Sequence, residues 1–372
     1  MFNITQLLEE QSSFLGCVGG PALTVDGGAS GSSRIDGGAS GSSRIDALAP
    51  GAEIAKDNVI ATLIPATVSE CALHLKESTC MGTVNAVKVG AVLGIVGSPE
   101  EIVAQAQTKL GCVGEQCVLK KLAGSVAEAE HILQTNFKLS GPTDNKLLNN
   151  YNIDHTLRTW MTAFPGFYAY NFNMKDYEKR SWREGVVESP DTLAVIPFEM
   201  LYAGKVPGEQ PGRKFYRCAC VINTDIYEGK GKHWMALYAE YRPASASPPR
   251  MTVEFFNSSG NSPTCEWVRW LVRTRDSMEK IRTDEHRSGT VEIIKNSQWR
   301  HQKSQSECGV YSLFYIWARL NGVPPEYFLQ RPVPDHMMFE FRQHLFADPT
   351  QPTRKTFDWG KYRKEVGVKW DP

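Results

Sequence analysis

Two aromatic-rich segments in the second half of the chain place the strongest constraint on its fold. Residues 234–241, WMALYAEY, and residues 251–256, MTVEFF, carry the aromatic and β-branched side chains that strands favour. The proline-rich stretch RPASASPPR lies between them and predicts a connection between two strands. A third strand is predicted over residues 290–295, TVEIIK. A sheet is therefore expected in this half of the chain.

Two helices are predicted beside these strands. Between residues 264 and 285 apolar residues recur with a helical spacing, at Trp267, Val268, Leu271, Met278 and Ile281. A second set follows Cys308 on one helical face and consists of Val310, Leu313, Phe314, Trp317 and Leu320. The stretch NGVPP at residues 321–325 ends that helix. Because strands and helices do not alternate regularly, the expected fold class is α+β.

A perfect decapeptide repeat marks the first boundary in the chain. GGASGSSRID occurs at residues 27–36 and again at residues 37–46, and its glycine and serine content predicts a flexible linker. A natural low-complexity segment and an engineered linker would both have this form. The linker separates an N-terminal peptide segment, residues 1–26, from the rest.

Three further segments are expected after the linker. Residues 47–145 should form a helical arm, in which Ser98, Pro99 and Glu101 have the spacing of a capped helix start. Ser125 and Glu128 repeat that spacing. Residues 146–346 form a larger core, because all nine tryptophans lie beyond residue 146. Residues 347–372 are assigned to a C-terminal extension.

Composition excludes several classes of function. The 41 lysines and arginines equal the 41 aspartates and glutamates, so no specific nucleic-acid site is predicted. The best apolar run, residues 89–96, is far shorter than the roughly 20 residues that cross a bilayer, so no membrane span is expected. The N-terminus lacks the basic leader of a secretory signal.

Cysteine usage points to a reducing compartment and away from metal binding. The nine cysteines are an odd number, which makes complete internal pairing impossible and a secreted disulfide scaffold unexpected. Cys112 and Cys117, with Cys71 and Cys80 upstream, lack the paired CxxC spacing of zinc ribbons, so no metal site is predicted. Cys218 and Cys220 alternate in a strand-like segment and are expected to be buried.

Cys308 is the candidate nucleophile, because it lies where a helix begins. The unpaired amides and the positive end of the helix dipole favour the reactive thiolate there. Gly309 has no side chain, so a substrate backbone could pass close to the sulfur. An inert buried cysteine is the alternative interpretation.

Candidate partners for this thiol lie at the ends of the predicted strands. His233 directly precedes a strand and could act as the base, with Trp234 shielding it from water, although it could also be merely exposed. Asn257 follows the next strand and could orient the imidazole if the two strands pair, or simply form a turn. Gln302 and Gln305 are both candidate donors to an oxyanion, or solvated loop residues, and spacing does not choose between them.

These residues carry a family resemblance. His233-Trp234, Asn257 and Gln302 with Cys308-Gly309 stand in the order His, Asn, Gln, Cys, with the glutamine six residues before the cysteine. They resemble the SUMO protease and adenovirus protease group, and more closely the polyprotein-processing cysteine proteases of the African swine fever virus type. Segments 223–234, 253–263 and 300–320 match best, and the likeness extends from about residue 69 to residue 346.

The resemblance implies a papain-like, SUMO-protease-like core with an N-terminal helical arm, and no metal or organic cofactor. It implies Cys308 as nucleophile, His233 as base and acid, Asn257 as orienting residue and Gln302 as oxyanion donor. Cellular SUMO proteases generally have aspartate in place of Asn257, which groups this chain with the viral branch. The expected substrates are viral structural polyproteins or capsid proteins cut after Gly-Gly. The expected source is a related large DNA virus, and the expected locations are host-cell viral factories and the virion.

The glycine pair Gly19-Gly20 then becomes a candidate self-cleavage site, because the linker could let an intramolecular N-terminal peptide reach a cleft. An incidental glycine pair in a tail and a tethered activating peptide are the alternatives. For the whole protein the alternatives are an isopeptidase acting on SUMO- or ubiquitin-like proteins and a non-catalytic capsid docking protein.

Overall fold

A computed structural model of the chain describes residues 17, 63–65, 69–75, 77–180, 193–242, 250–297, 299–347 and 357–366. The chain divides into two compact units, Met1–Leu63 and Ile64–Pro372. Only Cys17 and Leu63 of the first unit are described, so the fold below is that of the second unit. The decapeptide repeat and Gly19-Gly20 lie outside the described residues.

Four helices of the arm segment surround a small core of their own. They are α1 (Thr83–Leu93), α2 (Pro99–Leu110), α3 (Glu115–Leu122) and α4 (Ala129–Thr135). This core includes Val89, Ile102, Val118 and Ile132 of the helices, and Met81, which precedes α1. A helical arm can therefore bury apolar side chains without using the core of the larger segment.

One of the two predicted helix caps in the arm is present and the other is not. At α2, the Ser98 hydroxyl accepts from the Glu101 amide, and the Glu101 carboxylate accepts from the Ser98 amide. The predicted Ser125 cap is wrong, because Glu128 occupies the cap position of α4 in a left-handed conformation without a side-chain bond. The Ser125 amide bonds to the carbonyl of Leu122, so Ser125 belongs to the turn that closes α3.

The arm contains two disulfide bonds. Such bonds were not expected, because the cysteine count had indicated a reducing compartment. Cys71 is joined to Cys80 and Cys112 to Cys117, with Cα separations of 4.8 and 5.5 Å. Both separations lie within disulfide reach. The odd count excludes complete pairing but does not exclude such local pairs. Among the described cysteines, Cys218, Cys220 and Cys308 are free, and all three are buried.

The larger segment is built on a mixed five-stranded sheet, whose strands are β2 (Phe167–Ala169), β3 (Arg217–Asn223), β4 (Trp234–Tyr241), β5 (Met251–Phe256) and β6 (Glu292–Asn296), in that order across the sheet. Two further strands are β1 (Leu139–Ser140) and β7 (Phe346–Ala347). Strand β1 lies outside this sheet and pairs in parallel with β7. Pairing is parallel between β2 and β3 and between β5 and β6, and antiparallel between β3, β4 and β5. The three predicted strands appear as β4, β5 and β6.

Eight helices accompany the sheet in the described residues. They are α5 (Asn150–Ala163), α6 (Tyr177–Arg180), α7 (Phe198–Ala203), α8 (Cys265–Asp284), α9 (Cys308–Leu320), α10 (Glu326–Gln330), α11 (Asp335–Leu345) and α12 (Trp359–Val366). The predicted helices appear as α8 and α9, and the α+β class is confirmed. No helix among the described residues combines the length and apolar character that crossing a membrane requires.

The two faces of the sheet are covered by different helices, because successive side chains of a strand point to opposite sides. On one face Leu237 and Tyr241 of β4 share a core with Trp267 of α8. On the other face Glu240 of β4 bonds to Arg319 of α9 at 2.9 Å. All 13 residues of α9 are buried. Near its first turn α9 approaches Trp234 at the start of β4, so the helix runs along β4 in the same direction.

Candidate active site

The antiparallel pairing of β4 and β5 brings His233 and Asn257 together. His233 directly precedes β4 and Asn257 directly follows β5, so both lie at the same edge of the sheet. The His233 Nε2 atom lies 2.8 Å from the Asn257 side-chain oxygen Oδ1. Asn257 is 2 % exposed. Asn257 was expected to reach His233 only if the two strands pair, and β4 and β5 do pair.

The surrounding bonds determine the orientation of the Asn257 amide and the tautomer of His233. Asn257 Oδ1 also accepts from the Ser259 amide at 3.0 Å and from the Ser259 hydroxyl at 2.8 Å. Its Nδ2 donates to the carbonyl of Asn261 at 2.9 Å. Because Oδ1 can only accept, His233 must donate through Nε2. The other ring nitrogen, Nδ1, is then free of a proton in the neutral imidazole and can take one.

Cys308 is the first residue of α9 and lies against the strand that follows His233. Its thiol is 2 % exposed. Burial raises the pKa of the Cys308 thiol, although the backbone amides of Trp234 and Gly309 partly oppose this by bonding to the sulfur. The expectation that the helix start favours the thiolate is therefore only partly met, because desolvation outweighs the amides. In this state the sulfur is a neutral thiol at neutral pH.

His233 is also neutral at neutral pH. It is half-buried, and this burial lowers the pKa of its imidazole, although the hydrogen bond to Asn257 acts in the opposite direction. Asn257 is uncharged, so it supplies orientation without the charge that would hold a proton on the ring. Because the thiol and the imidazole are both neutral, they are suited to proton transfer during attack on a substrate rather than to a preformed ion pair.

Gly309 is required by the close approach of two side chains. A Cβ atom placed on Gly309 would lie 3.1 Å from Cβ of Leu148 and 3.3 Å from Cδ1 of Trp234. The Trp234 indole is fixed in turn, because its Nε1 donates to the Leu148 carbonyl at 3.1 Å. Trp234 and Leu148 therefore form a narrow wall beside the nucleophile. Trp234 is 9 % exposed.

Gln302 is anchored to the turn that carries Asn257. Its side-chain oxygen accepts from the Ser258 hydroxyl at 2.9 Å, and its backbone amide donates to the Ser258 carbonyl at 2.9 Å. One hydrogen of its Nε2 is donated to the Ser304 carbonyl at 2.8 Å. The second hydrogen of that amide is available to a ligand. Gln305, the other candidate, is exposed, so the structure distinguishes two glutamines that spacing could not.

A groove of about 410 Å³ opens beside Trp234. Its apolar walls include Leu147, Leu148, Phe172, Met174 and Trp234, and Lys230 and Lys232 lie at its rim. Such a concave, mostly apolar surface next to a nucleophile is where an extended peptide could bind.

Metal chemistry has little support from the described residues. Cys71, Cys80 and Glu115 place their potential ligand atoms within 4.8 Å of one another. The two sulfur atoms are joined in a disulfide, however, and a thiolate is the form that binds a metal. This cluster therefore gives no reason to add a metal to the site.

Several residues around the site were not found from the sequence. Leu148 and Ser258 contact the candidate residues directly, while Asp335 and Arg342 hold the loop before Cys308. Ser258 could have been suggested by its position next to Asn257. Leu148, Asp335 and Arg342 reach the site through the tertiary fold, and no local pattern marks them.

Comparison with known proteins places these observations in a family. No protein-family model matches the chain. A SUMO-1 cysteine protease of African swine fever virus is 35% identical over 291 residues, which cover 76% of this chain and 97% of that protein. A protein named cysteine protease from another strain of the same virus is 34% identical over the same shares of both chains.

A solved structure agrees with the sequence matches. The crystal structure of the African swine fever virus pS273R protease superimposes with a TM-score of 0.58 and 31% sequence identity. The match covers 77% of this chain and 98% of that one. The chain therefore belongs to the family of the African swine fever virus cysteine proteases and is itself a cysteine protease with a mixed fold of helices and sheet.

Proposed function

We propose that this protease is an endopeptidase that cuts viral structural polyproteins after Gly-Gly during virion maturation. The observation that carries the proposal is the 2.8 Å bond between His233 and Asn257, next to Trp234, whose backbone amide bonds to the Cys308 sulfur. The bond to Asn257 gives the imidazole one defined proton-accepting nitrogen. The proposed locations are the viral factories of the host cytoplasm and the virion.

The first chemical step forms an acyl-enzyme. The Cys308 sulfur attacks the carbonyl carbon of the second glycine, and Nδ1 of His233 takes the thiol proton. The carbonyl oxygen becomes an oxyanion, which accepts hydrogen bonds from the free Gln302 amide hydrogen and from a backbone amide at the start of α9. His233 then gives its proton to the leaving amine as the carbon–nitrogen bond breaks.

The second step releases the product. A water molecule attacks the thioester carbon, and His233 removes a proton from that water. The carbon–sulfur bond breaks, and the Cys308 sulfur recovers a proton from His233. Asn257 keeps the imidazole in one tautomer through both transfers, because its side-chain oxygen always accepts from Nε2.

A narrow wall beside the nucleophile supports the preference for glycine. Leu148 and Trp234 already crowd Gly309, where even a methyl group would meet Leu148 at 3.1 Å. A substrate with side chains next to the scissile bond would have to displace this wall. A glycine pair leaves room for the substrate backbone to approach the sulfur.

Cleavage of short peptides tests the proposal. We expect Gly-Gly-Xaa peptides to be cut after the second glycine, matched Ala-Ala-Xaa peptides to be cut poorly, and Cys308→Ala to abolish both reactions. An isopeptidase, suggested by the SUMO-1 name of a relative, would instead need a folded ubiquitin-like substrate. A lack of Cys308-dependent cleavage of any substrate would favour the non-catalytic docking function.

Gly19-Gly20 is the candidate site at which the protease would cut its own chain. If Gly19-Gly20 is a self-cleavage site, the purified protein should lose residues 1–20 over time, and Cys308→Ala should keep its intact mass. A stable intact mass for both forms would contradict this hypothesis and leave cleavage of other proteins unaffected.

A further inference from the structure

The loop between Gln302 and Cys308 is held by a buried carboxylate that the mechanism above does not use. Asp335, the first residue of α11, is 1 % exposed. Its Oδ2 accepts from the amides of Lys303 and Ser304 at 3.0 and 3.1 Å. Its Oδ1 accepts from the Ser304 hydroxyl at 3.0 Å. The Tyr311 hydroxyl lies 3.2 Å from Oδ1, but its single hydrogen has a shorter acceptor in the Val333 carbonyl at 2.7 Å. Asp335 therefore holds the loop through two backbone amides and one hydroxyl.

Ser304 connects this carboxylate to Gln302. The amide and hydroxyl of Ser304 donate to Asp335, whereas the carbonyl of Ser304 accepts from Nε2 of Gln302 at 2.8 Å. The Ser304 carbonyl at Nε2 and the Ser258 hydroxyl at Oε1 together set how the Gln302 amide is turned. Displacement of the Ser304 carbonyl would therefore change where the second hydrogen of that amide points. Charge-assisted bonds to backbone amides are among the stronger hydrogen bonds in proteins, so the loop has little freedom to rotate.

The other end of the loop, next to Cys308, also bonds to α11. Arg342 lies two turns after Asp335 in α11, which places both side chains on one face. Its guanidinium donates to Glu307, the residue before Cys308, at 2.8 Å, and both side chains are buried. Helix α11 thus holds the loop next to Gln302 through Asp335 and next to the nucleophile through Arg342.

A residue of the C-terminal extension adds a fourth bond to the carboxylate. The Tyr362 hydroxyl of α12 donates to Asp335 Oδ2 at 2.7 Å. Tyr362 lies in the segment, residues 347–372, that is assigned to a C-terminal extension. A cavity of about 220 Å³ beside this bond is lined in part by Ser304, Asp335 and Tyr362. The extension is therefore connected to the active-site loop through Asp335, to which Tyr362 is bonded.

We propose that Asp335 is a positioning residue that orients Gln302 as the oxyanion donor, and that Tyr362 of the C-terminal extension steadies Asp335 in this role. The proposal rests on the proposed peptidase function. Asp335 touches no reacting atom in this account and acts only through Ser304 and Gln302. Its removal should affect the transition state more than substrate binding.

Steady-state kinetics with a double-mutant cycle tests the proposal. Gln302→Ala should lower kcat about 100- to 1000-fold, as loss of an oxyanion donor does. Asp335→Asn should lower kcat about 10-fold or more with little change in KM, and it should cost less than about 2-fold when Gln302 is already alanine. The rate at which iodoacetamide alkylates Cys308 should stay unchanged, because that reaction forms no oxyanion. Asp358→Asn, a matched acidic control at the same cavity, should have wild-type kinetics.

Two milder variants cover the case in which Asp335→Asn does not fold. Ser304→Ala and Tyr362→Phe each remove one bond and leave the carboxylate in place. We expect each to lower kcat about 2- to 10-fold, because each variant removes only one of the bonds that hold the carboxylate, and to speed hydrogen exchange at the amide of Lys303. Wild-type kcat in both variants would overturn the proposal.

Other outcomes separate the proposal from the function on which it rests. An equal loss from Asp335→Asn with and without Gln302, or a change in KM alone, would overturn the positioning role while cleavage by the wild-type chain stands. A wild-type chain that cuts no peptide would overturn the proposed function, and with it the role of Gln302. Hydrogen exchange at Lys303 would then still show whether Asp335 fixes the loop.

Discussion

The bond between His233 and Asn257 decides which imidazole nitrogen can accept a proton. Three donors converge on Asn257 Oδ1, namely the ring of His233 and two groups of Ser259. This arrangement fixes the tautomer without adding charge. An aspartate at the same place would also fix the tautomer, but it would stabilise the protonated ring. Beside the neutral Asn257 amide, the His233 ring therefore stays unprotonated, and can act as a base, at a lower pH than it would beside an aspartate.

The pH dependence of kcat/KM follows from this arrangement. Burial lowers the pKa of His233, and only the neutral ring can take the thiol proton, so activity is lost as pH falls through that lowered pKa. We expect the acidic limb of the profile to lie below pH 6.5, the ordinary value for histidine.

Asn257→Asp should move this limb to higher pH by about 1 unit or more, because the new negative charge favours the protonated imidazole. Gln134→Glu adds the same charge at an exposed position of α4 in the arm and serves as a control for added charge. An acidic limb that stays in place in Asn257→Asp would contradict the assignment of His233 as the base.

Helix α9 and strand β4 together position the nucleophile. The helix is buried along its whole length, and its first turn packs against Trp234 at the start of the strand. Gly309 is the point of closest approach. Any side chain at that position would have to move Leu148 or Trp234, and Cys308 is attached to the same backbone.

Gly309→Ala should therefore reduce activity more than stability. We expect kcat/KM to fall about 10- to 100-fold, because small displacements of a catalytic group have effects of this size. Gly124→Ala is a suitable control, since a Cβ on Gly124 would meet nothing within 4 Å. Measurement of kcat/KM and of the free energy of unfolding for both variants tests this, and unchanged kinetics for Gly309→Ala would be the contradicting result.

The strands and the helix that carry the candidate catalytic residues were predictable from sequence. Strands β4 and β5 begin and end where their aromatic and β-branched segments do, and α9 begins at Cys308 as its apolar spacing predicts. The contacts of Asp335, Arg342 and Leu148 could not be predicted in this way. They join parts of the chain that are far apart in sequence, and only the packing of α5 and α11 against the site brings them together. The Ser125 cap failed for a local reason, since a turn that closes α3 uses the same residue types.

At the scale of the whole molecule, a buried ion cluster joins the sheet to α9. Arg319 donates to Glu254 at 2.8 Å and to Glu240 at 2.9 Å, and the three side chains are at most 1% exposed. Tyr315 also donates to Glu254 at 2.7 Å. Two carboxylates are therefore neutralised mainly by one guanidinium, together with a partly exposed bond from Arg242 to Glu240.

Removal of Arg319 should destabilise the fold strongly. Arg319→Met leaves two buried carboxylates without their main partner, and we expect a loss of about 3–5 kcal/mol in the free energy of unfolding. Arg250→Met breaks the partly exposed pair with Glu326 and should cost less than about 1 kcal/mol. Urea unfolding of both variants provides the comparison, and equal losses would show that burial of the Arg319 cluster has no special effect.

Covalent labelling tests whether Cys308 is the nucleophile and His233 its base. A Gly-Gly peptide that ends in a vinyl sulfone should add to the protein once, and peptide mapping should place the adduct on Cys308 rather than on Cys218 or Cys220. His233→Ala should slow the labelling about 100-fold or more, because the thiol then has no base to take its proton. Labelling of another cysteine, or a rate unaffected by His233→Ala, would contradict the assignment of this site as the active site of a cysteine protease.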